Sequence, residues 1–460
     1  MLAAPMQTLA MLLLILGVPA RAAGVSALAW PLRVALVAYL GASARFWPRT
    51  GWVMAGVFAT LAAVGLWLDA APVAATLGGL DRSAVFAAFF GALSFLRAAA
   101  NGSARMRRCG VHLVRQPPGR RYAALALGGF VSGIILNIGV VDLLGGMVQA
   151  ANADQPADPA VAAFRLRRML QAVQRGFSAT SGWQPLSIMM TFVLTALPML
   201  RWQRVVPMGL GFSTLLLILG WSLDRASGLR AASRPAELPP PPAEEGWAVH
   251  LPLAGLVLAM LVLALGTDRF AGLSLTASVT LLVPPIAIGW IVLQERRIAK
   301  AALRLWRHLH TGLPAIRLEV LTLAGAGFSG AVLAAGMQGG GGAPLLAGLG
   351  LPAVVVAMAV PWLIVGCGVV GMTPVLAASL VAAAVGDPRA WGLPPLVVAL
   401  GLMSGWSLTS VGAPFVANSI VISRLSGRSP FTVSLRWNAA YLLGGLTLAS
   451  AAILALAAVL

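Results

Sequence analysis

The sequence GFSATSGWQP at residues 176–185 recurs as GWSLTSVGAP at residues 405–414. Five of these ten positions are identical without a gap, and in both copies an aromatic residue follows the first glycine. An apolar segment follows each proline. The match indicates an internal duplication, so we predict two repeated halves, each carrying one copy.

Each copy interrupts an apolar segment. Proline lacks an N–H donor and clashes with the preceding helical turn, and glycine relaxes the backbone. The freed N–H and C=O groups cannot face lipid, so such breaks persist only where they are buried or line a cavity. A matching pair of breaks is typical of the midplane solute site of a secondary transporter. The alternative interpretation is a pair of packing kinks between helices crowded by small residues.

The composition places the whole chain in a membrane. Of 460 residues, 59% are hydrophobic and 10% are charged, whereas an ordinary globular domain carries about 25% charged residues. Apolar runs of roughly 20 residues recur, and they predict an all-α polytopic membrane protein with about 11–13 membrane segments. We do not expect a soluble domain; the lipid bilayer is the expected surrounding of the chain.

The basic excess agrees with this class. The net charge of +19 comes from arginines in the loops between apolar runs, as expected for segments held on the cytoplasmic side. We therefore expect no nucleic-acid partner. The Ala/Gly/Arg bias is typical of a bacterial protein, and we expect a multi-pass protein of the bacterial inner (cytoplasmic) membrane.

The chain divides by composition into five parts. We predict N-terminal membrane helices of a scaffold (1–96), a first repeat (97–224) with its broken helix at 176–185, and a Pro-rich linker (225–246). Scaffold helices with an amphipathic interfacial helix follow (247–317), then a second repeat (318–460) with its broken helix at 405–414. Met1–Ala23 fits either a signal peptide or a first membrane helix.

Two further features bear on the repeats. Phe130–Gly133 has a weaker echo in Phe328–Gly330. Tyr122–Gln149 is either a re-entrant hairpin with its tip at Asn137 or a single full span.

Hydroxyl groups in the breaks supply the candidate site. Together with half-helix N-termini beginning at Pro185 and Pro414, they would donate hydrogen bonds to an anion, and the opposed carbonyl ends could hold Na⁺. The candidate substrate-binding residues from the breaks and the hairpin tip are Ser178, Thr180, Ser181, Ser407, Thr409, Ser410 and Asn137.

The segment Thr409–Trp437 resembles the carboxy-terminal segment of the ion transporter superfamily, which includes divalent-anion:sodium symporters, citrate carriers and arsenite permeases. The motif covers about thirty residues, with a Pro/Asn-containing unwound loop, a short amphipathic connection and a last helix. Gly371–Pro374 is similar to the Gly-x-Asn-Pro break of that superfamily, with Thr373 where Asn is usual. The resemblance implies an inverted-repeat fold with re-entrant hairpins, elevator-type transport and a homodimer. It adds Asn418 and Thr373 to the candidate site.

One pattern opposes the inverted arrangement. The basic stretches Arg97–Arg121 and Glu295–Arg317 precede the two halves, and if both were cytoplasmic the halves would be parallel. We still expect inverted halves, because orientation depends on the sum of charges over the whole chain.

The sequence thus predicts a secondary active transporter that moves a small anionic solute by alternating access. We expect no cofactor and no metal site, with Na⁺ or H⁺ as coupling ion; for H⁺, only Asp142 and Glu319 are near apolar spans. Two other classes compete. A membrane-embedded enzyme or lipid-linked transferase needs Asp, His or Arg clusters in long loops, and a structural subunit of an envelope complex needs no paired breaks. We expect no enzyme.

Overall fold

The computed structural model describes residues 3–69, 71–101, 103–153, 158–230, 246–340 and 350–460. Over these residues the chain is helical and contains no strand. Ten of the described helices are long and apolar enough to cross a membrane. The prediction of an all-α polytopic membrane protein is confirmed. The central part of the predicted Pro-rich linker lies outside the described residues.

The helices follow one another with short connections. Up to the linker they are α1 (Ala3–Ala22), α2 (Ala29–Ala44), α3 (Arg49–Leu68), α4 (Pro72–Ala100), α5 (Ala104–Val114), α6 (Pro118–Leu136), α7 (Gly139–Ala153), α8 (Pro159–Thr180), α9 (Ile188–Ala196) and α10 (Trp202–Arg230). After it they are α11 (Leu251–Ala271), α12 (Leu275–Glu295), α13 (Ile298–Arg307), α14 (Leu313–Ala315), α15 (Arg317–Gly340), α16 (Ala353–Val369), α17 (Pro374–Val385), α18 (Pro395–Gly412), α19 (Ala417–Ser426) and α20 (Ala439–Val459).

Helices α1–α4, α12 and α15 pack together as a scaffold. Within it, α15 lies so close to α3 that a Cβ on Gly65 would come within 2.7 Å of the Leu333 amide nitrogen. The first helix belongs to this bundle: Met11 and Leu14 are fully buried, and Gln7 Nε2 donates to Ser43 Oγ of α2 at 3.0 Å. Small residues at the contacts allow this close approach, as is usual between membrane helices.

Helices α6 and α7 form a hairpin, so the alternative of one full span through Tyr122–Gln149 is wrong. Both outer ends of the hairpin lie on α8: Arg165 Nε donates to Asn152 Oδ1 near the end of α7 at 2.7 Å, and Arg175 Nη1 donates to Tyr122 Oη near the start of α6 at 3.3 Å. The tip is at Asn137, which adopts φ +52°. The chain reverses direction at this turn, between the end of α6 and the start of α7.

A second hairpin follows α15. Helices α16 and α17 pack against each other and against α18, and they meet at a tip that contains Gly371, with φ +101°. Thr373 caps α17, its Oγ1 accepting from the Leu376 amide at 3.4 Å. Each half therefore shows the same order of elements: a hairpin, a broken helix (α8–α9 or α18–α19) and a long final helix (α10 or α20).

The predicted start of the second repeat at residue 318 falls on α15, which packs on the scaffold helices α3 and α4. Arg304 of α13 donates to the carbonyl oxygens of Ala98 and Asn101 at 2.7 Å, so both basic stretches lie on one face. Helix α15 then runs antiparallel to α4, with Ser83 Oγ donating to the Ala324 carbonyl at 2.7 Å. Since α15 runs back along the length of α4, we expect the second hairpin to begin opposite the first although both basic stretches share a side.

Candidate functional site

Both predicted breaks exist, but they begin later than the sequence suggested. Helix α8 continues through Thr180 and α18 through Gly412. The half-helices after the breaks begin at Ile188 and Ala417, three residues beyond each proline. The first part of each repeated stretch stays helical, and its threonine bonds back along the helix: Thr409 Oγ1 donates to the Gly405 carbonyl at 2.7 Å, and Thr180 Oγ1 donates to the Gly176 carbonyl at 3.1 Å.

The first glycine of each copy holds the same structural position. A Cβ on Gly176 would overlap the carbonyl oxygen of Ala126 in α6. A Cβ on Gly405 would lie 2.9 Å from Ile364 Cβ in α16. In each half, therefore, this glycine lets the broken helix pack against the first helix of the preceding hairpin.

The threonines of the two copies are equally matched. Thr180 lies against Gly133 of α6, and Thr409 lies against Gly368 of α16. Gly133 thus corresponds to Gly368, whereas Gly330 belongs to α15 and faces Ser379 of α17. The predicted echo between Phe130–Gly133 and Phe328–Gly330 is therefore wrong; it is a chance similarity in glycine-rich helices.

The two broken helices cross at their equivalent serines. Ser407 Oγ donates to the Ser178 carbonyl at 2.7 Å, and Ser178 Oγ donates to the Ser407 carbonyl in return. Both serines are fully buried. The reciprocal pair satisfies two hydroxyls and two carbonyls inside an apolar bundle, where unpaired groups would cost several kcal/mol.

The helices run antiparallel through this crossing. On one side of it, Asn418 Nδ2 after the second break donates to the Gln174 carbonyl before the first break, at 3.4 Å. On the other side, Gly182 and Met403 both lie against Gly209 of α10. Residues after Ser178 therefore lie beside residues before Ser407.

A buried polar chain extends from the crossing. Arg175 Nε donates to Asn438 Oδ1 at 2.8 Å, and Asn438 Nδ2 donates to Gln174 Oε1 at 3.0 Å. Because Gln174 Oε1 accepts the hydrogen bond from Asn438, the Nε2 group of Gln174 points away from this row of polar side chains. Arg175 also contacts Tyr122 and stacks over Tyr441, so its guanidinium group is already occupied.

Several buried polar atoms in this region have no partner among the described residues: Gln174 Nε2, Asn418 Oδ1 and Ser419 Oγ. The amide of Asn418 is oriented by its bonds to two carbonyls, since Nδ2 also donates to the Ser410 carbonyl at 2.9 Å. The cluster therefore presents a free amide donor and a free amide acceptor. Unpaired buried groups of this kind call for a ligand or water.

The structure joins some predicted site residues and separates others. Ser178, Ser407, Ser410 and Asn418 belong to one hydrogen-bonded cluster, in which Ser410 Oγ donates to the Ser407 carbonyl at 2.9 Å. Thr180 and Thr409 face the hairpins, Ser181 lies half-buried in the first break, and Asn137 and Thr373 lie at the hairpin tips. No contact in the described part of the chain joins these tips to the two serines.

Sequence reasoning missed Gln174 and Asn438. A signal was present, because Gln171, Gln174, Arg175 and Ser178 recur at the spacing of one helix face. Asp142, one of the acidic candidates for proton coupling, forms an ion pair with Arg424 in an exposed position.

Two solved structures share this fold. The YdaH transporter of Alcanivorax borkumensis superposes with a TM-score of 0.58 at 16% identity, over 87% of this chain and 97% of that one. MtrF of Neisseria gonorrhoeae, described among antimetabolite efflux pumps, gives 0.50 at 14% identity, over 79% and 82%. At such low identity, the similarity shows a shared fold. No protein-family model and no curated protein sequence matches the chain.

Proposed function

We propose that the chain is a secondary transporter of the bacterial inner membrane that moves a small solute by alternating access. One observation carries the proposal: two broken helices, equivalent in the two halves, cross antiparallel through reciprocal bonds between Ser178 and Ser407. Paired breaks of this kind mark the solute site of transporters built from inverted repeats. The fold shared with YdaH and MtrF supports the same class.

The crossing is the proposed solute site, and it is closed here. Each serine hydroxyl is bound to the opposite backbone carbonyl, so a solute must displace these bonds to enter. Gln174 Nε2 and Asn418 Oδ1 would then gain the partners that they lack. In our proposal alternating access is of the elevator type: the hairpins and broken helices of both halves move together relative to the scaffold.

An anionic solute and coupling to Na⁺ or H⁺ stay part of the proposal, as does membership of the ion transporter superfamily. A binding screen tests whether the protein binds an anionic solute and Na⁺. The purified full-length protein is heated with a panel of carboxylates, inorganic oxyanions and Na⁺, and the unfolding midpoint is recorded. A ligand at a hundred times its dissociation constant should stabilise the folded state by about 2.7 kcal/mol.

The site assignment is tested with Ser178→Ala and Ser407→Ala. In proteoliposomes loaded with the best ligand of the panel, both variants should lose most counterflow while still inserting. Ser404→Ala is the matched control, because Ser404 is equally buried on α18 but bonds only within its own helix, to the Gly401 carbonyl at 3.1 Å. Counterflow is measured in both directions across the membrane, because MtrF is described among efflux pumps. Unchanged counterflow in both crossing variants would contradict the assignment.

A further inference from the structure

A second polar cavity lies between the scaffold and the repeated elements, away from the serine crossing. Its volume is about 80 Å³. Scaffold helices α4 and α15 form one wall, with Arg82, Gly327 and Gly330. Helices α9 and α17 form the other, with Phe192 and Ser379. Gly330 lies directly against Ser379, so α15 and α17 approach each other closely at the edge of this space.

Arg82 lies inside α4, one of the membrane-spanning helices. An arginine at such a position is costly and usually has a partner or a function. Arg82 forms no hydrogen bond or ion pair within the described part of the chain. Its neighbour Asp81 cannot serve, because both carboxylate oxygens of Asp81 accept from Arg21 and Arg33 at 2.8–2.9 Å.

The local charge balance favours an anion. Arg21 and Arg33 share the single carboxylate of Asp81, and Arg82 follows Asp81 in the chain, so this part of the scaffold carries two positive charges in excess. Helices α9 and α17 end beside the cavity, and the partial negative charge of these ends offsets part of that excess. None of their described carbonyl groups accepts a hydrogen bond from Arg82.

Ser379 provides an independent observation. It is 2% exposed, it lines the cavity from α17, and its Oγ has no hydrogen-bond partner among the described residues. A buried hydroxyl without a partner usually marks a missing ligand or water. Ser379 and Arg82 line the same small space from opposite walls.

We propose that this cavity binds one small anion through Arg82 and Ser379. A guanidinium group supplies a fork of N–H donors, and a hydroxyl adds one more, which is the donor set that carboxylates and halides accept. The volume holds a chloride ion, a formate ion or the carboxylate group of a larger solute, and excludes a bulky organic anion as a whole. This site does not depend on the proposed transport activity.

Aromatic side chains connect the cavity to the broken helix α18. Phe192 lines the cavity, and its ring centroid lies 6.3 Å from that of Trp406, the residue before Ser407. Two aromatic rings therefore separate the anion site from the crossing. The anion bridges the scaffold to α17 and α9, so its binding should stabilise the contact between these parts.

Thermal unfolding of the purified full-length protein tests the site. Chloride, formate or acetate replaces isethionate, which carries no carboxylate group, at constant ionic strength, and the unfolding midpoint is followed. The wild type should show a saturable rise with at least one of the three. A response to chloride and carboxylates indicates a general small-anion site, and a response to carboxylates alone indicates a subsite for the carboxylate of a solute.

Substitutions of Arg82 and Ser379 test whether the anion-dependent stabilisation comes from this cavity. Arg82→Gln should abolish it, and Ser379→Ala should weaken the apparent affinity roughly tenfold, because a hydrogen bond to a charged group is lost. Arg204→Gln is the matched control, since Arg204 is an exposed arginine on α10. A wild type without saturable stabilisation, or an Arg82→Gln protein with the wild-type response, would overturn the proposal. Neither result bears on counterflow through the serine crossing.

Discussion

At the residue scale, Gly176 and Gly405 are two equivalent positions where packing leaves no room for a side chain. We expect Gly176→Ala to destabilise the protein by more than the 1–3 kcal/mol typical of overpacking, because the added methyl group meets the backbone carbonyl of Ala126. Gly405→Ala should cost less, since part of its contact is the side chain of Ile364. Unfolding midpoints in detergent measure both effects.

The control for this pair is Gly211→Ala. Gly211 lies in α10 and a Cβ there would meet nothing within 4 Å. Alanine is the better helix former, so this change should stabilise the helix by up to about 1 kcal/mol. If Gly176→Ala behaved like Gly211→Ala, the proposed equivalence of the two repeated glycines would have no energetic basis.

At the scale of elements, the amphipathic helix α13 is joined to the scaffold through His308, which begins a π-helical turn at His308–Gly312. The ring of His308 packs edge-to-face against Phe95, and its Nε2 lies 3.1 Å from Ser94 Oγ. Since that hydroxyl donates to the Gly91 carbonyl at 2.6 Å, the imidazole N–H donates to the serine oxygen. The neutral ring is therefore the form that fits.

This contact makes stability depend on pH. Burial, with a smaller contribution from Arg97, lowers the pKa of His308 to about 4 from an ordinary value of 6.5. Its contribution is complete above pH 6.5 and is lost as pH falls towards 4, because the unfolded chain binds the proton first. The loss should be on the order of 3 kcal/mol, measured by chemical unfolding across this range.

The variant His308→Gln removes the titrating group, so its stability should fall less than that of the wild type between pH 6.5 and 4. His310→Gln is the matched control, since His310 stacks on the exposed Trp306 and leaves the Ser94 contact intact. Parallel profiles for the wild type and His308→Gln would show that His308 does not carry this dependence.

The sequence predicted the class of elements better than their boundaries. Runs of apolar residues identify spans, and the duplicated stretch correctly identified Ser178 and Ser407 as equivalent positions. The exact breaks were missed because hydroxyls in a helix can bond to carbonyls four residues back, which lets Gly, Ser and Thr remain helical. Composition alone does not tell a broken helix from a continuous one.

Arg82 was missed for a related reason. A charged pair such as Asp81–Arg82 is typical of a loop between spans and not of the interior of a span. In the structure α4 begins at Pro72, because Arg21 and Arg33 neutralise Asp81 from neighbouring helices. Ion pairs between distant segments cannot be read from local composition.

At the scale of the whole molecule, one additional membrane-spanning helix explains two features that conflict with each other in the sequence. The basic stretches lie on the same face, as the positive-inside rule requires, yet the broken helices run antiparallel. Helix α15 accounts for both, because it moves the chain across the bilayer before the second hairpin. We therefore expect the hairpins to enter the bilayer from opposite faces.

Labelling of single cysteines tests this arrangement. The chain has two cysteines, so Cys109→Ala with Cys367→Ala gives a cysteine-free background. Arg120→Cys, before the first hairpin, and Arg297→Cys, before α13, should react with a membrane-impermeant maleimide from the same face. Arg389→Cys, after the second hairpin, should react only from the other face. All three arginines are exposed, and comparison of spheroplasts with inside-out vesicles distinguishes the faces.

Modification of Arg389→Cys from the same face as Arg120→Cys would mean that the hairpins enter together, and the antiparallel crossing of α8 and α18 could not span the bilayer as described.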